Sequence, residues 1–332
     1  MSYAFLRFAP QPHMHRRRAN RIHGFSLVEV MVSLAIGLVV IGTVFANYLN
    51  NSSGARQAAA LTQVTQDASL AMGILRNHIA MAGYSRPIGV SGTGDNAKIT
   101  KVYAGDFIYG CTEGFADGTK NKADYSNVAC NATSAAGVTP QPDSLAVRYE
   151  ADTESTPTVN ATPVPVDCTG SGLSPLTAGA GTGALTYYLA DSRFTILPAQ
   201  TATATQPAMP PSLGCLGNGN TGPNADLTGN SQPLVENIVG MKIWYGVGQT
   251  ASDTNVAQYL TADQVPAGDW SRVISVRICL LVRSNDEVMS QASTPFYDCL
   301  GNVQYINDRR IYRAFKTTVV LNNRAGSNQL AP

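Results

Sequence analysis

Histidine is scarce in this 332-residue chain: four are present, and His13, His15 and His23 lie in the first 23 residues, leaving only His78 beyond them. The patterns that would carry nucleophilic or metal-assisted catalysis are missing as well. There is no Gly-x-Ser-x-Gly, no His-Glu-x-x-His and no Cys-x-x-Cys, and Gly114-Phe-Ala-Asp-Gly-Thr-Lys120 matches a phosphate loop only superficially. Asp and Glu are scattered without an evident acid–base pair. These absences predict a non-enzyme that needs no cofactor and no metal. Basic patches are absent too, apart from Arg7, Arg16, Arg17, Arg18 and Arg21. Without residues 1–24, 18 of the 23 basic residues face all 22 acidic ones, a net charge of −4 against +1 for the whole chain. That balance leaves no footprint for a nucleic-acid partner.

Charge is also absent from Val30 to Ala46, and proline from Phe25 to Arg86. Seventeen uncharged positions make a helix of about 25 Å, close to a bilayer core once Phe25 to Val28 are added. The arginines ahead of Gly24 have no acidic residue among them, so the positive-inside rule keeps that end cytoplasmic and sends the rest of the chain outward. The membrane stretch contains one carboxylate, Glu29. At the centre of a bilayer such a group costs about 2.5–3.5 kcal/mol on insertion scales, less near the interface. It must either meet a cation or snorkel to the headgroups.

Past the membrane segment, Leu61, Val64, Ala68, Ala71, Leu75 and Ile79 recur at spacings of three and four, which predicts a continuing helix with one buried face. Gly83 and Pro87 mark its end. Strands are expected from alternation: Ile274 to Val282, Val239 to Val247 and Arg313 to Leu321, with shorter candidates at Ser144 to Tyr149 and Leu185 to Leu197. The last is expected to fold as a hairpin around Ala190-Asp191-Ser192. The stretches 153–183 and 200–232, rich in Thr, Pro, Gly, Ser and Asn, read as surface loops. Within the second, 218–230 has oxygen donors at short intervals but lacks an EF-hand pattern, so a polar loop is favoured over calcium binding. This order of elements predicts an α+β head, a helix packed across an antiparallel sheet with long loops.

Six cysteines, Cys111, Cys130, Cys168, Cys215, Cys279 and Cys299, all fall after the outward-facing helix. Such a place favours disulfides over a zinc site, and 15 pairings are open. Sequence order suggests Cys111 with Cys130, Cys168 with Cys215, and Cys279 with Cys299.

The stretch Gly24-Phe25-Ser26-Leu27-Val28-Glu29, leading into an unbroken apolar helix, resembles the processing site of type IV pilins and pseudopilins. The resemblance implies a leader, residues 1–24, removed by a prepilin peptidase between Gly24 and Phe25, and N-methylation of the new Phe25 amine. It also implies that Glu29 pairs with the N-terminal amine of a neighbouring subunit during docking. Domains are then expected as the leader 1–24, a transmembrane and amphipathic helix 25–82, and a disulfide-bonded head 83–332. Ile79-Ala-Met-Ala-Gly-Tyr84, Asp143 to Tyr149, Leu234 to Gly246 and Arg309 to Asn323 resemble PilW-type minor pilins. For such a subunit the implied role is priming pilus assembly, at the filament tip. Its implied partners are other minor pilins, the major pilin, the peptidase, the inner-membrane assembly platform and a tip adhesin. The implied place is the inner membrane, with a periplasmic head, before assembly and the cell surface after it. A GspJ-like pseudopilin of type II secretion and a pilus-displayed adhesive module are the alternatives.

Overall fold

A computed structural model describes residues 24–94, 98–118, 125, 128–134, 140–153, 158–159, 163–178, 184–219, 221, 226–227 and 229–324. Residues 1–23 of the expected leader, Lys120 of the loop after Gly114, and residues 222–225 of the asparagine-rich loop lie outside the described residues. The chain divides into two compact units, Met1–Gly54 and Ala55–Pro332. One helix, α1 (Leu27–Met81), contributes residues to both.

In the first unit the helix has no core to bury. Leu27, Met31, Leu34, Leu38, Ile41, Val44, Phe45 and Tyr48 are all exposed. A helix apolar on every side belongs in lipid, and α1 is the one described helix long and apolar enough to cross a membrane.

In the second unit, the remaining part of α1 presents Ala60, Val64, Ala68, Ala71, Leu75 and Ile79 to the core, followed by Ala82 just past its end. The stripe keeps the expected spacing but begins at Ala60. Leu61, expected to be inside, is 40% exposed. The helix exit is tied down by the backbone. Gly83 takes a left-handed φ of +73°, and a Cβ there would lie 2.4 Å from the Asn323 carbonyl oxygen, so only glycine fits. The Asn323 side chain donates to the Ala80 carbonyl (2.9 Å), and Lys101 Nζ to the Gly83 carbonyl (3.2 Å).

The strands run in chain order β1 (Pro87–Ser91), β2 (Lys98–Lys101), β3 (Ile108–Cys111), β4 (Ser144–Ala151), β5 (Thr158–Val159), β6 (Val164–Pro165), β7 (Pro175–Ala178) and β8 (Leu185–Leu197). They continue with β9 (Ser212–Gly217), β10 (Gln232–Glu236), β11 (Ile238–Val247), β12 (Gln258–Leu260), β13 (Val273–Arg283), β14 (Ser293–Tyr297), β15 (Val303–Asn307) and β16 (Tyr312–Val320). Two antiparallel sheets dominate. One has the order β10-β9-β8-β4-β3, with β7 also pairing β8, and the other is β12-β11-β13-β16. Their apolar faces meet the α1 stripe in one core that includes Leu145, Val147, Phe194, Ile243, Tyr245, Ile278 and Leu280. The fold is α+β, a long N-terminal helix with antiparallel sheets.

Two expectations about the first of these sheets need correction. Leu185–Leu197 is a single 13-residue strand with no turn at Ala190-Asp191-Ser192, and those three residues are buried. Asp191 there meets arginines, so a sequence that resembles a turn is held extended by charge pairing. The expected loop 200–232 contains β9, six buried residues between β8 and β10. Its glycines hid it. Gly214 passes Leu197, whose Cδ1 would lie 2.7 Å from an added Cβ, and Gly217 passes the Asp167 carboxylate, where the same distance would be 2.0 Å. In-strand glycine commonly marks such close approach.

Candidate assembly site

Ser26 and Glu29 set the start of α1. The Val30 N–H donates to the Ser26 carbonyl (3.1 Å), which puts Ser26 at the N-cap, and Ser-x-x-Glu is a sequence signature of a helix start. Glu29 falls in the first turn, where the exposed N–H groups favour negative charge. Phe25, Glu29, Ser33, Gly37 and Ile41 succeed one another at intervals of four, so they share a face with Val30, Leu34 and Leu38. Ser33 Oγ is committed to the Glu29 backbone carbonyl (2.7 Å). Among the described residues the Glu29 carboxylate itself has no partner, and Phe25 is 83% exposed. Gly24 and Phe25 precede the helix outside any regular element. The backbone at Gly24-Phe25 is therefore exposed, and a carboxylate without a partner among the described residues lies one turn further on.

The cysteines form three disulfides within the second unit: Cys111–Cys130, Cys168–Cys215 and Cys279–Cys299, with Cα separations of 5.3, 6.4 and 5.7 Å. Each joins a sheet strand to a segment outside the two main sheets. Next to the second, Asp167 Oδ1 accepts from the Thr169 N–H (2.8 Å) and the Ser171 N–H (3.1 Å), and Oδ2 from the Gly219 N–H (2.7 Å).

Charged residues inside the head are the feature that sequence reasoning missed. Asp191 on β8 is 1% exposed and lies between Arg148 and Arg193, each also 1% exposed. Arg148 donates to Asp191 Oδ2 from Nε (3.0 Å) and Nη2 (2.9 Å), and Arg193 does so from Nη2 (2.9 Å). Burial alone would push the Asp191 carboxyl up, but the two guanidiniums hold it below the usual carboxylate range. The signal was present in the alternation: Asp191 and Arg193 are two apart on one strand, and Arg148 stands opposite Asp191 in the β4–β8 register. Glu150 is similarly held by Ser85 Oγ (2.6 Å) and the Arg86 N–H (2.7 Å), and Asp143 by Lys242 (3.1 Å) and the Ile243 N–H (2.8 Å). These carboxylates are consumed in joining segments.

His78 packs on the sheet, its ring edge-on to Phe194 at 5.1 Å and its Nδ1 3.3 Å from the Tyr149 hydroxyl. Burial pushes its pKa down to about 4, against a smaller upward pull from Asp167, so it is neutral at physiological pH. Asn218, from the loop considered for calcium, instead accepts from the Asp191 N–H (2.9 Å) and donates to the Leu189 carbonyl (2.8 Å).

Residues 19–45 match the family model of the prokaryotic N-terminal methylation motif, and residues 194–323 that of type IV pilus-assembly protein W, PilW. Among solved structures, the type IV-like pilin TTHA1219 from Thermus thermophilus is similar at 12% identity, covering 79% of this chain and 97% of that one with a TM-score of 0.34. No curated protein matches the chain. A membrane-length helix behind a methylation motif, carrying a head of antiparallel sheets, defines a membrane-anchored type IV pilin. Within that class the chain is similar, over residues 194–323, to the PilW pilus-assembly family.

Proposed function

We propose that this minor pilin primes type IV pilus assembly together with other minor pilins and is carried at the filament tip. In this reading a prepilin peptidase removes residues 1–24, Phe25 becomes the methylated N-terminus, and Glu29 pairs with the Phe25 amine of a neighbouring subunit. Before assembly the helix holds the chain in the inner membrane, with the disulfide-bonded head in the periplasm, where an assembly platform extracts it. The role is structural, with no catalytic step. The observation that carries the reading is the unpartnered Glu29 carboxylate in the first turn of a membrane-length helix, directly behind Gly24-Phe25. A carboxylate in lipid is costly until it meets a cation, and docking supplies one. The match of residues 194–323 to a pilus-assembly family favours the pilus over type II secretion.

The test is a deletion strain complemented with wild type or Glu29→Ala. The substitution keeps the helix apolar, so membrane insertion survives while surface pili are lost as in the deletion. The loss is partly relieved when retraction is also blocked. Normal pili in the deletion strain with defective export of folded exoproteins would transfer the chain to type II secretion. Loss of attachment alone would make it an adhesive module.

A further inference from the structure

One cleft in the head takes no part in the assembly site or the helix packing. It has a volume of about 330 Å³ and lies between β3, the short 3-10 turns Ala262–Gln264 and Trp270–Arg272, and the segment after Cys130. That size suits a ligand of one small ring. An aromatic stack forms its wall: Tyr109 and Tyr125 lie 5.5 Å apart, Tyr109 and Trp270 4.9 Å, and Tyr245 stands edge-on behind Trp270 at 4.9 Å. Thr112, Asn131, Thr133, Asp106 and Asp263 supply hydroxyl, amide and carboxylate groups, and no Lys or Arg is among the described lining residues.

Three polar groups in this wall are unused. The Tyr125 and Tyr245 hydroxyls are buried without a hydrogen-bond partner, and the indole N–H of Trp270 meets no acceptor among the described residues. Tyr245 itself is fully buried behind the lining residues, its hydroxyl against Gly110, where an added Cβ would come within 1.8 Å of it. Buried polar groups are nearly always satisfied, so the orphans on the two lining residues, Tyr125 and Trp270, ask for a partner from the cleft. On the rim, Thr112 Oγ1 donates to Asp263 Oδ1 (2.6 Å), which fixes that exposed carboxylate.

We propose that this cleft binds a neutral hexose-type sugar, the terminal ring of a surface glycan. An anion is disfavoured by two carboxylates with no cation among the described lining residues. A wholly apolar ligand would leave the hydroxyls, amide and carboxylates unmatched. A sugar ring offers both a C–H surface for Tyr109 and Trp270 and hydroxyls that can donate to Asp263 and Asp106 and accept from the indole N–H. This goes beyond the assembly role and does not depend on it.

The test uses the mature full-length chain in phospholipid nanodiscs, since glycosidic detergents would compete. Methyl glycosides of glucose, galactose and N-acetylglucosamine are titrated while tryptophan fluorescence is monitored, and bound ligand is detected independently by saturation-transfer NMR. Saturable binding of at least one glycoside is expected. Asp263→Asn, an exposed change, should weaken it about tenfold with the melting temperature unchanged, and Trp270→Phe should remove the fluorescence response. The proposal is overturned if no glycoside saturates the folded wild type, if Asp263→Asn binds as tightly as wild type, or if choline binds in place of the sugars, which would make the cleft an ammonium site.

Discussion

Replacing Asp191 by Asn would remove one negative charge and almost no volume from the interior of the head. Arg148 and Arg193 would then lie 1% exposed without their shared counter-ion. Breaking a buried ion pair from one side typically costs about 3–5 kcal/mol, because the abandoned charge cannot return to water without opening the structure. That is a large part of the 5–15 kcal/mol by which domains are commonly stable. With a urea m-value of about 3 kcal/mol/M, the midpoint should fall by about 1 M or more at an unchanged slope. The assay is urea unfolding of the mature chain in nanodiscs, monitored by near-UV circular dichroism of the head. A second variant, Arg148→Met with Asp191→Leu and Arg193→Met, removes all three charges and should lie much closer to wild type, since apolar replacement of a whole buried cluster is often neutral. The reasoning is refuted if Asp191→Asn costs less than about 1 kcal/mol, or if the triple variant is as damaged as the single one.

Reduction of the three disulfides should lower the melting temperature markedly, each contributing about 2–4 kcal/mol by constraining the unfolded chain; alkylation without reduction should label none of the six cysteines, and labelling of most would contradict the pairing. His78 should make the head acid-sensitive between pH 6.5 and 4. Its pKa falls from 6.5 to about 4 on folding, so the unfolded chain binds the extra proton and stability is lost as pH drops through that window. The loss approaches about 3 kcal/mol at 1.36 kcal/mol per unit. Urea titrations of wild type and His78→Gln at pH 7 and pH 4.5 would measure it, and equal pH dependence in the two would refute the assignment.

How much of the molecule was legible in the sequence varied with the kind of residue. The α1 stripe and the strands β11, β13 and β16 were readable because one face of each is buried and the period of apolar residues reports it directly. β9 was not. Ser212-Leu-Gly-Cys-Leu-Gly217 has loop composition, and its glycines are explained only by what passes over them, Leu197 and Asp167, neither of which is near in sequence. The centre of β8 failed for the opposite reason. Asp191 and Ser192 read as a turn until Arg148 from β4 is set beside them, a pairing that depends on register. At the N-terminus, Glu29 was readable as a lone carboxylate in an apolar run because that meaning is local. The aromatic cleft was not, since Tyr109, Tyr125, Tyr245 and Trp270 come together only through the fold.

The fate of the N-terminus decides most about the role in the pilus, and one mass measurement on sheared filaments tests it. Filaments from the native host are digested, and peptides covering residues 1–55 are identified. The expected result is a peptide that begins at Phe25 with a methylated amine, recovered from the filament fraction. A chain in that fraction beginning at Met1, or a mature chain found only in the membrane and never with filaments, would contradict it.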